Sequence, residues 1–162
     1  MLLAAPIAIA EGGPTDAQIA AIVVTANQVD IDAGKLAKEK SKTKEVQEFA
    51  ERMIVDHGGV NQAATDLVKK LGVKPEKSPT SESLQKGGDD NLAALKKLSG
   101  AAFDKAYIDH EVAYHQAVLD AVDKTLIPSA SNAELKALLV KVRPAFVAHL
   151  EHAKQLQGSL AK

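Results

Sequence analysis

Hydrophobic residues recur with a helical period in four long segments of the chain. Thr15 has the position and chemistry of a helix N-cap at the start of the first segment. Gly72 has the position and chemistry of a helix C-cap at the end of the second segment. No segment alternates apolar and polar residues with period two, as a half-buried strand would. The pattern therefore predicts an all-α protein whose long helices cover about residues 15–40, 44–71, 101–126 and 131 to near the end.

The connections between these helices predict their arrangement. A three-residue polar break at 41–43 joins the first pair, and a short segment around Pro128 joins the second pair. The third connection, at residues 73–100, is much longer. Its Ser, Pro and Gly content predicts a crossover that carries one short helix at about residues 90–98. Four long helices with one long connection, between the second and third, predict a four-helix bundle.

The amino terminus differs from the rest of the chain. Residues 1–10 read MLLAAPIAIA, with small residues at Ala8 and Ala10, and a polar stretch follows. This pattern indicates the remainder of a signal peptide, although the basic region that normally begins one is missing. We expect residues 1–13 to be such a remnant or a disordered leader, and residues 14–162 to form the bundle domain. The expected location is the periplasm or the outer membrane of a bacterium, without a membrane-spanning segment.

Composition narrows the candidate functions. Hydrophobic residues make up 46% of the chain but aromatic residues only 3%, which suits closely packed helices. The 20 basic and 21 acidic residues are interspersed, so there is no basic stripe for nucleic acid. The absence of cysteine excludes disulfides, thiolate metal sites and a cysteine nucleophile. No phosphate-binding loop or nucleophile motif is present.

Three of the five histidines fall on the apolar faces of different predicted helices: His57, His115 and His149. Glu111 and Asp30 also lie on inward faces, and Glu111 shares its face with His115 at a spacing of four residues. Imidazole and carboxylate groups in an apolar interior carry a desolvation cost unless something there binds them. A metal ion between the helices is such a partner. Helix lengths also bring these five residues to similar heights in the bundle.

These donors predict a mononuclear nitrogen and oxygen site for a transition metal, either zinc, copper or iron. Each ligating imidazole needs a partner for its second nitrogen, and we expect that role to fall to Tyr107, Tyr114 and Asn61. Asp56 lies off the apolar stripe of its helix and is a weaker candidate for a metal ligand. His110 and His152 lie at or beyond the edges of theirs, which predicts surface positions for both.

Three functions are compatible with this pattern. The first is an exported metal-binding protein that acts in metal handling or envelope stress. The second is a metal-dependent oxidoreductase acting on oxygen species, so that enzymatic turnover is left open. The third is a structural or interaction bundle in which the buried histidines and Glu111 form a metal-free polar network. We expect a monomer or a homodimer.

Three segments resemble a bacterial family of ferritin-like four-helix proteins, the domain of unknown function 4142, whose members are often labelled predicted outer-membrane proteins. The segments are FAERMIVDH at 49–57, FDKAYIDHEVAYH at 103–115 and RPAFVAHLEHA at 143–153, and ANQVDIDAGKLA is similar to the family's first helix. The resemblance implies a ferritin-like bundle, export, and a histidine in each of helices two, three and four at His57, His115 and His149. It implies no established activity. The chain lacks the Glu-x-x-His motif of di-iron proteins, which speaks against a di-iron centre or iron storage.

Overall fold

The computed structural model describes residues 12–162, and those residues are helical with short connections and no strand. The elements are α1 (Asp16–Lys40), α2 (Lys44–Leu71), α3 (Pro79–Lys96), α4 (Gly100–Ala121), a π-helical segment (Val122–Leu126), α5 (Ile127–Ser129) and α6 (Ala133–Leu160). The all-α prediction is confirmed. Most of the predicted leader lies outside the described residues, so the domain boundary at residue 14 stays a prediction.

The ends of the long helices follow from local capping. The Thr15 hydroxyl accepts from the backbone N–H of Gln18, whose side chain in turn accepts from the backbone N–H of Thr15. This reciprocal pair satisfies two amides that the first turn would otherwise leave free. Gly72 ends α2 with a φ of 66°, a left-handed conformation that glycine adopts without a Cβ penalty. The Asn132 side chain caps α6.

The crossover contains a longer helix than the sequence pattern predicted. Helix α3 begins at Pro79, more than one turn before the predicted start near residue 90, because Ser78 and Ser81 form a capping box. Gly87 and Gly88, which favoured a loop, lie inside this helix. A Cβ at Gly88 would approach within 2.7 Å of the Val29 side chain, so glycine there permits α3 to pack closely on α1. Packing thus outweighs the low helix propensity of glycine.

The third long helix also departs from a regular α-helix near its end. The pattern predicted one helix to residue 126, but α4 ends at Ala121 and the chain continues as the π-helical segment before Pro128. π-helical turns are uncommon and are often found beside functional sites.

Helix α1 packs along α2 and α3, and α4 packs along α6. Two large apolar clusters fill the interior. One is centred on aromatic residues such as Phe49 and Phe103, and the other on aliphatic residues such as Ile19 and Leu139. Along the chain, the buried polar residues Asp30, His57, Glu111, His115 and His149 each come between members of these two clusters. The interior is therefore an apolar bundle divided by one polar layer.

No helix within residues 12–162 combines the length and apolar character needed to cross a bilayer.

Candidate metal centre

The polar layer consists of the five side chains that the sequence singled out. They come from the four long helices, and each is at most 2% exposed: Asp30, His57, Glu111, His115 and His149. One ligand atom from each of His57, His115 and His149 lies within 4.8 Å of those of the other two. Asp30, Glu111 and His115 meet the same criterion. The structure thus brings all five of these side chains into one region.

His57 is oriented by a neighbour on α1. Its Nδ1 lies 2.7 Å from Oδ1 of the buried Asn27, and since an amide oxygen only accepts, Nδ1 carries the proton. The other nitrogen, Nε2, then presents a lone pair. It lies 3.1 Å from Oδ2 of Asp30 without forming a hydrogen bond. A lone pair facing a carboxylate oxygen at this distance needs a proton or a cation between them.

His115 is oriented by its own helix. Its Nδ1 donates to the backbone carbonyl of Glu111, one turn earlier, at 3.0 Å. Its Nε2 has no hydrogen-bond partner and lies 3.7 Å from Oδ2 of Asp30. The ring therefore also presents an unpaired Nε2 to the polar layer.

His149 uses the opposite nitrogen. Its Nε2 donates to Oδ2 of Asp56 at 2.7 Å, and its buried Nδ1 has no partner. Asp56 is held in turn by Arg52, one turn earlier on α2. A carboxylate that binds the outer nitrogen of an imidazole fixes its tautomer and raises its basicity as a ligand.

The three rings form a compact group. Their centroids are 5.5 Å apart for His57 and His115, 5.0 Å for His57 and His149, and 5.5 Å for His115 and His149. Each ring has one nitrogen engaged outward and one buried nitrogen without a partner. Most buried polar atoms in proteins are hydrogen-bonded, so three such nitrogens in one layer require an explanation.

Burial keeps these imidazoles neutral. It lowers the pKa of His57 and of His149 from 6.5 to about 4, and it also lowers the pKa of His115. Neutral imidazole is the form that binds metals. At neutral pH the three rings are therefore in the ligating form without any ion being bound.

The two carboxyl groups behave differently from surface acids. Burial, together with the charge of the adjacent Asp30, holds the pKa of Glu111 well above its usual range. Burial also raises the pKa of Asp30, while the nearby His115 works in the opposite direction. Because two adjacent buried carboxylates cannot both ionise at low cost, the raised pKa favours the protonated form of Glu111.

The outer partners were predicted wrongly. Tyr114 donates to the backbone carbonyl of Ala26, Asn61 donates to that of Val24, and the buried Tyr107 hydroxyl has no partner. Their roles are filled by Asn27, by the Glu111 carbonyl and by Asp56. Asn27 lies on the inward face of α1, three residues before Asp30, so the test that found Asp30 would also have found it.

His110 and His152 are half-buried, not exposed as predicted. His110 stacks on Tyr114, and His152 packs edge-on against Phe49. Neither belongs to the candidate metal groups among the described residues.

The donor set fits a transition metal in composition. Three neutral imidazole nitrogens with adjacent carboxylates suit zinc, copper and iron. Zinc binds imidazole nitrogen at about 2.0–2.1 Å, and the three ligand atoms, which lie within 4.8 Å of one another, would hold one such ion between them.

The sequence profile of a protein family described as a domain of unknown function (DUF4142) matches residues 3–156. The chain belongs to that family. Among solved structures, one titled "CopM in the Cu(II)-bound form" superposes with a TM-score of 0.69, over 91% of this chain and 98% of the other, at 16% sequence identity. At that identity the similarity establishes the fold alone. A search of curated proteins gives no significant match.

Proposed function

We propose that this protein is an exported metal-binding protein that holds one transition-metal ion in the polar layer of the bundle. His57 Nε2, His115 Nε2 and His149 Nδ1 are its nitrogen ligands, and Asp30 and Glu111 supply oxygen. Its role is metal handling or protection of the bacterial envelope under stress.

The observation that carries this proposal is the pairing pattern of the three rings. Each outward nitrogen has a hydrogen-bond acceptor, and each inward nitrogen has none. A metal-free polar network would instead pair these atoms with one another, since an unpaired buried polar atom costs about 1–3 kcal/mol. Three such atoms from three helices favour a bound ion over a self-satisfied network.

The solved structure with the same fold supports the proposal in a limited way. That structure is of CopM in a Cu(II)-bound form, so a bundle of this shape can hold a transition metal. Copper is therefore the first ion to test, together with zinc and iron.

The experiment measures metal stoichiometry in protein produced without a histidine tag. After chelation and dialysis, the protein is loaded with copper, zinc or iron, passed through a desalting column and analysed for metal and protein content. We expect one ion per chain for the wild type and loss of that ion in His57→Gln and His115→Gln. His110→Gln is the matched control, because His110 lies outside the cluster, and it should bind like the wild type. Circular dichroism verifies that each variant is folded.

Thermal unfolding supplies a second readout. An ion that binds only the folded state stabilises it by about 2.7 kcal/mol at a free concentration of 100 times Kd, so chelator should lower the melting temperature of loaded protein. Wild type that binds no metal would favour the metal-free network, and variants that retain the ion would show that it binds outside the polar layer.

A further inference from the structure

A cavity of about 230 Å³ opens beside the polar layer, between α1, α4, the π-helical segment and α6. Its wall is largely aliphatic, and Phe146 contributes one aromatic face that stacks on His57 with ring centroids 5.3 Å apart. Three exposed residues line its outer part, namely Thr80, Ala117 and Thr125. The cavity is larger than the roughly 150 Å³ that accommodates benzene in an engineered apolar cavity.

Three buried polar residues in or beside the polar layer line the same cavity: Asn27, Asp30 and His57. Asn27 and Asp30 are each 2% exposed, and each has a buried atom without a hydrogen-bond partner, Nδ2 of the amide and Oδ1 of the carboxyl. Apart from His57 Nε2, which faces Asp30 Oδ2, the buried end of this largely apolar cavity is therefore lined by residues with one unpaired donor and one unpaired acceptor. Such groups in a binding site select ligands that can pair with them.

We propose that this cavity binds a small neutral molecule with an apolar body and a single hydroxyl group, of the size of an alkylphenol. The hydroxyl oxygen accepts from Asn27 Nδ2, and its proton is donated to Asp30 Oδ1. The apolar body lies against Val118, Leu139 and Phe146. This ligand class goes beyond the metal-binding function, and its test does not depend on a bound ion.

The chemistry of the two unpaired atoms disfavours charged head groups. An ammonium group has no acceptor for the Asn27 amide, and a carboxylate has no donor for Asp30. A carboxylate would also bring a second negative charge next to the acidic pair of Asp30 and Glu111. A pure hydrocarbon fits the apolar wall but leaves both polar atoms unpaired, which costs binding free energy.

Three probes of similar size separate these cases: 4-propylphenol, propylbenzene and 4-propylbenzoate. Each is titrated into the full-length, chelator-treated protein, and binding is followed by methyl chemical shifts in NMR spectra. We expect 4-propylphenol to shift the methyl groups that line the cavity and to bind about tenfold or more tightly than propylbenzene. The benzoate should bind more weakly than either.

Two variants test the location. Val118→Phe fills the cavity and should abolish binding, whereas Val140→Phe, at a largely exposed position outside the cavity, should bind like the wild type. Asn27→Leu removes one of the two hydrogen bonds to the hydroxyl, so it should lower the affinity for 4-propylphenol towards that for propylbenzene.

Equal affinity for 4-propylphenol and propylbenzene, absence of binding, or unchanged binding in Val118→Phe would overturn the proposal. Because the titration uses metal-free protein, these outcomes are distinguishable from a failure to bind metal.

Discussion

Asp56 accepts a hydrogen bond from Nε2 of His149 at 2.7 Å, although the carboxylate is 37% exposed and the imidazole is completely buried. This pair connects the polar layer to the protein surface. It also fixes which nitrogen of His149 faces the interior. An exposed acid thereby determines the ligating form of a buried side chain.

Replacing Asp56 should therefore weaken metal binding without removing a ligand. In Asp56→Ala, His149 loses the acceptor that fixes its tautomer, and loss of such an outer partner typically costs about 10–100-fold in metal affinity. Competition titration against a chelator measures this change. Asp66→Ala removes an exposed carboxylate from the same helix and should leave the affinity unchanged. Equal affinities in both variants would contradict the role assigned to Asp56.

The metal-free protein should lose stability in acid through His57. Burial lowers the pKa of His57 from 6.5 to about 4, so between these values the unfolded chain binds a proton that the folded chain does not. The resulting contribution is fully present above pH 6.5 and is lost as the pH falls towards 4. Relative to His57→Gln, wild type should gain about 3 kcal/mol of unfolding free energy between pH 4 and pH 7.

Urea unfolding with chelator present, at several pH values, measures this difference. The comparison with the variant matters because the raised pKa of Glu111 acts in the opposite direction, and that contribution is present in both proteins. A difference that is independent of pH would show that His57 is not held neutral by burial.

Glu111 should cost stability in the metal-free protein. Its two carboxyl oxygens are buried without hydrogen-bond partners among the described residues, next to Asp30. Replacement by leucine of similar volume removes that cost, so Glu111→Leu should raise the unfolding free energy by about 1–2 kcal/mol in chelator and weaken metal binding. The control Glu39→Leu, at an exposed position, should change stability by less than about 0.5 kcal/mol. A destabilised Glu111→Leu would contradict the account.

Two glycines should respond oppositely to alanine. Gly59 follows His57 closely in α2, and a Cβ there would have no neighbour within 4 Å, so Gly59→Ala should stabilise the protein by about 0.5–1 kcal/mol. Gly88→Ala should destabilise it, because its Cβ would lie 2.7 Å from Val29. Thermal unfolding of the two variants compares these effects directly, and the same sign for both would show that α3 does not pack on α1 as described.

Sequence periodicity was sufficient for the long helices and for the inward direction of the five polar side chains. Both depend on local spacing, because one face of each helix must be apolar whatever its neighbours are. The length of α3 could not be predicted in this way, since Gly87 and Gly88 favour a loop by local propensity, whereas a glycine at position 88 permits close packing on Val29. Contacts between helices, more than local propensity, determine the structure of that part of α3.

For the same reason, the sequence pattern could not assign a hydrogen-bond partner to each imidazole. Tyr107 and Tyr114 had suitable chemistry, but which group meets a ring nitrogen depends on the rotation of neighbouring helices. Asp56 illustrates this point, because it lies off the apolar stripe of α2 and still reaches His149 on α6. Periodicity identifies the helix face on which a residue lies, whereas packing between helices determines its hydrogen-bond partner.

The most direct test of the metal centre is an anomalous-scattering difference map from crystals of the tag-free protein loaded with zinc or copper. A single strong peak bonded to His57 Nε2, His115 Nε2 and His149 Nδ1, at about 2.0–2.1 Å for zinc, is the predicted result. A map without a peak among these three rings, or with the ion bound only at the surface, would contradict the central claim.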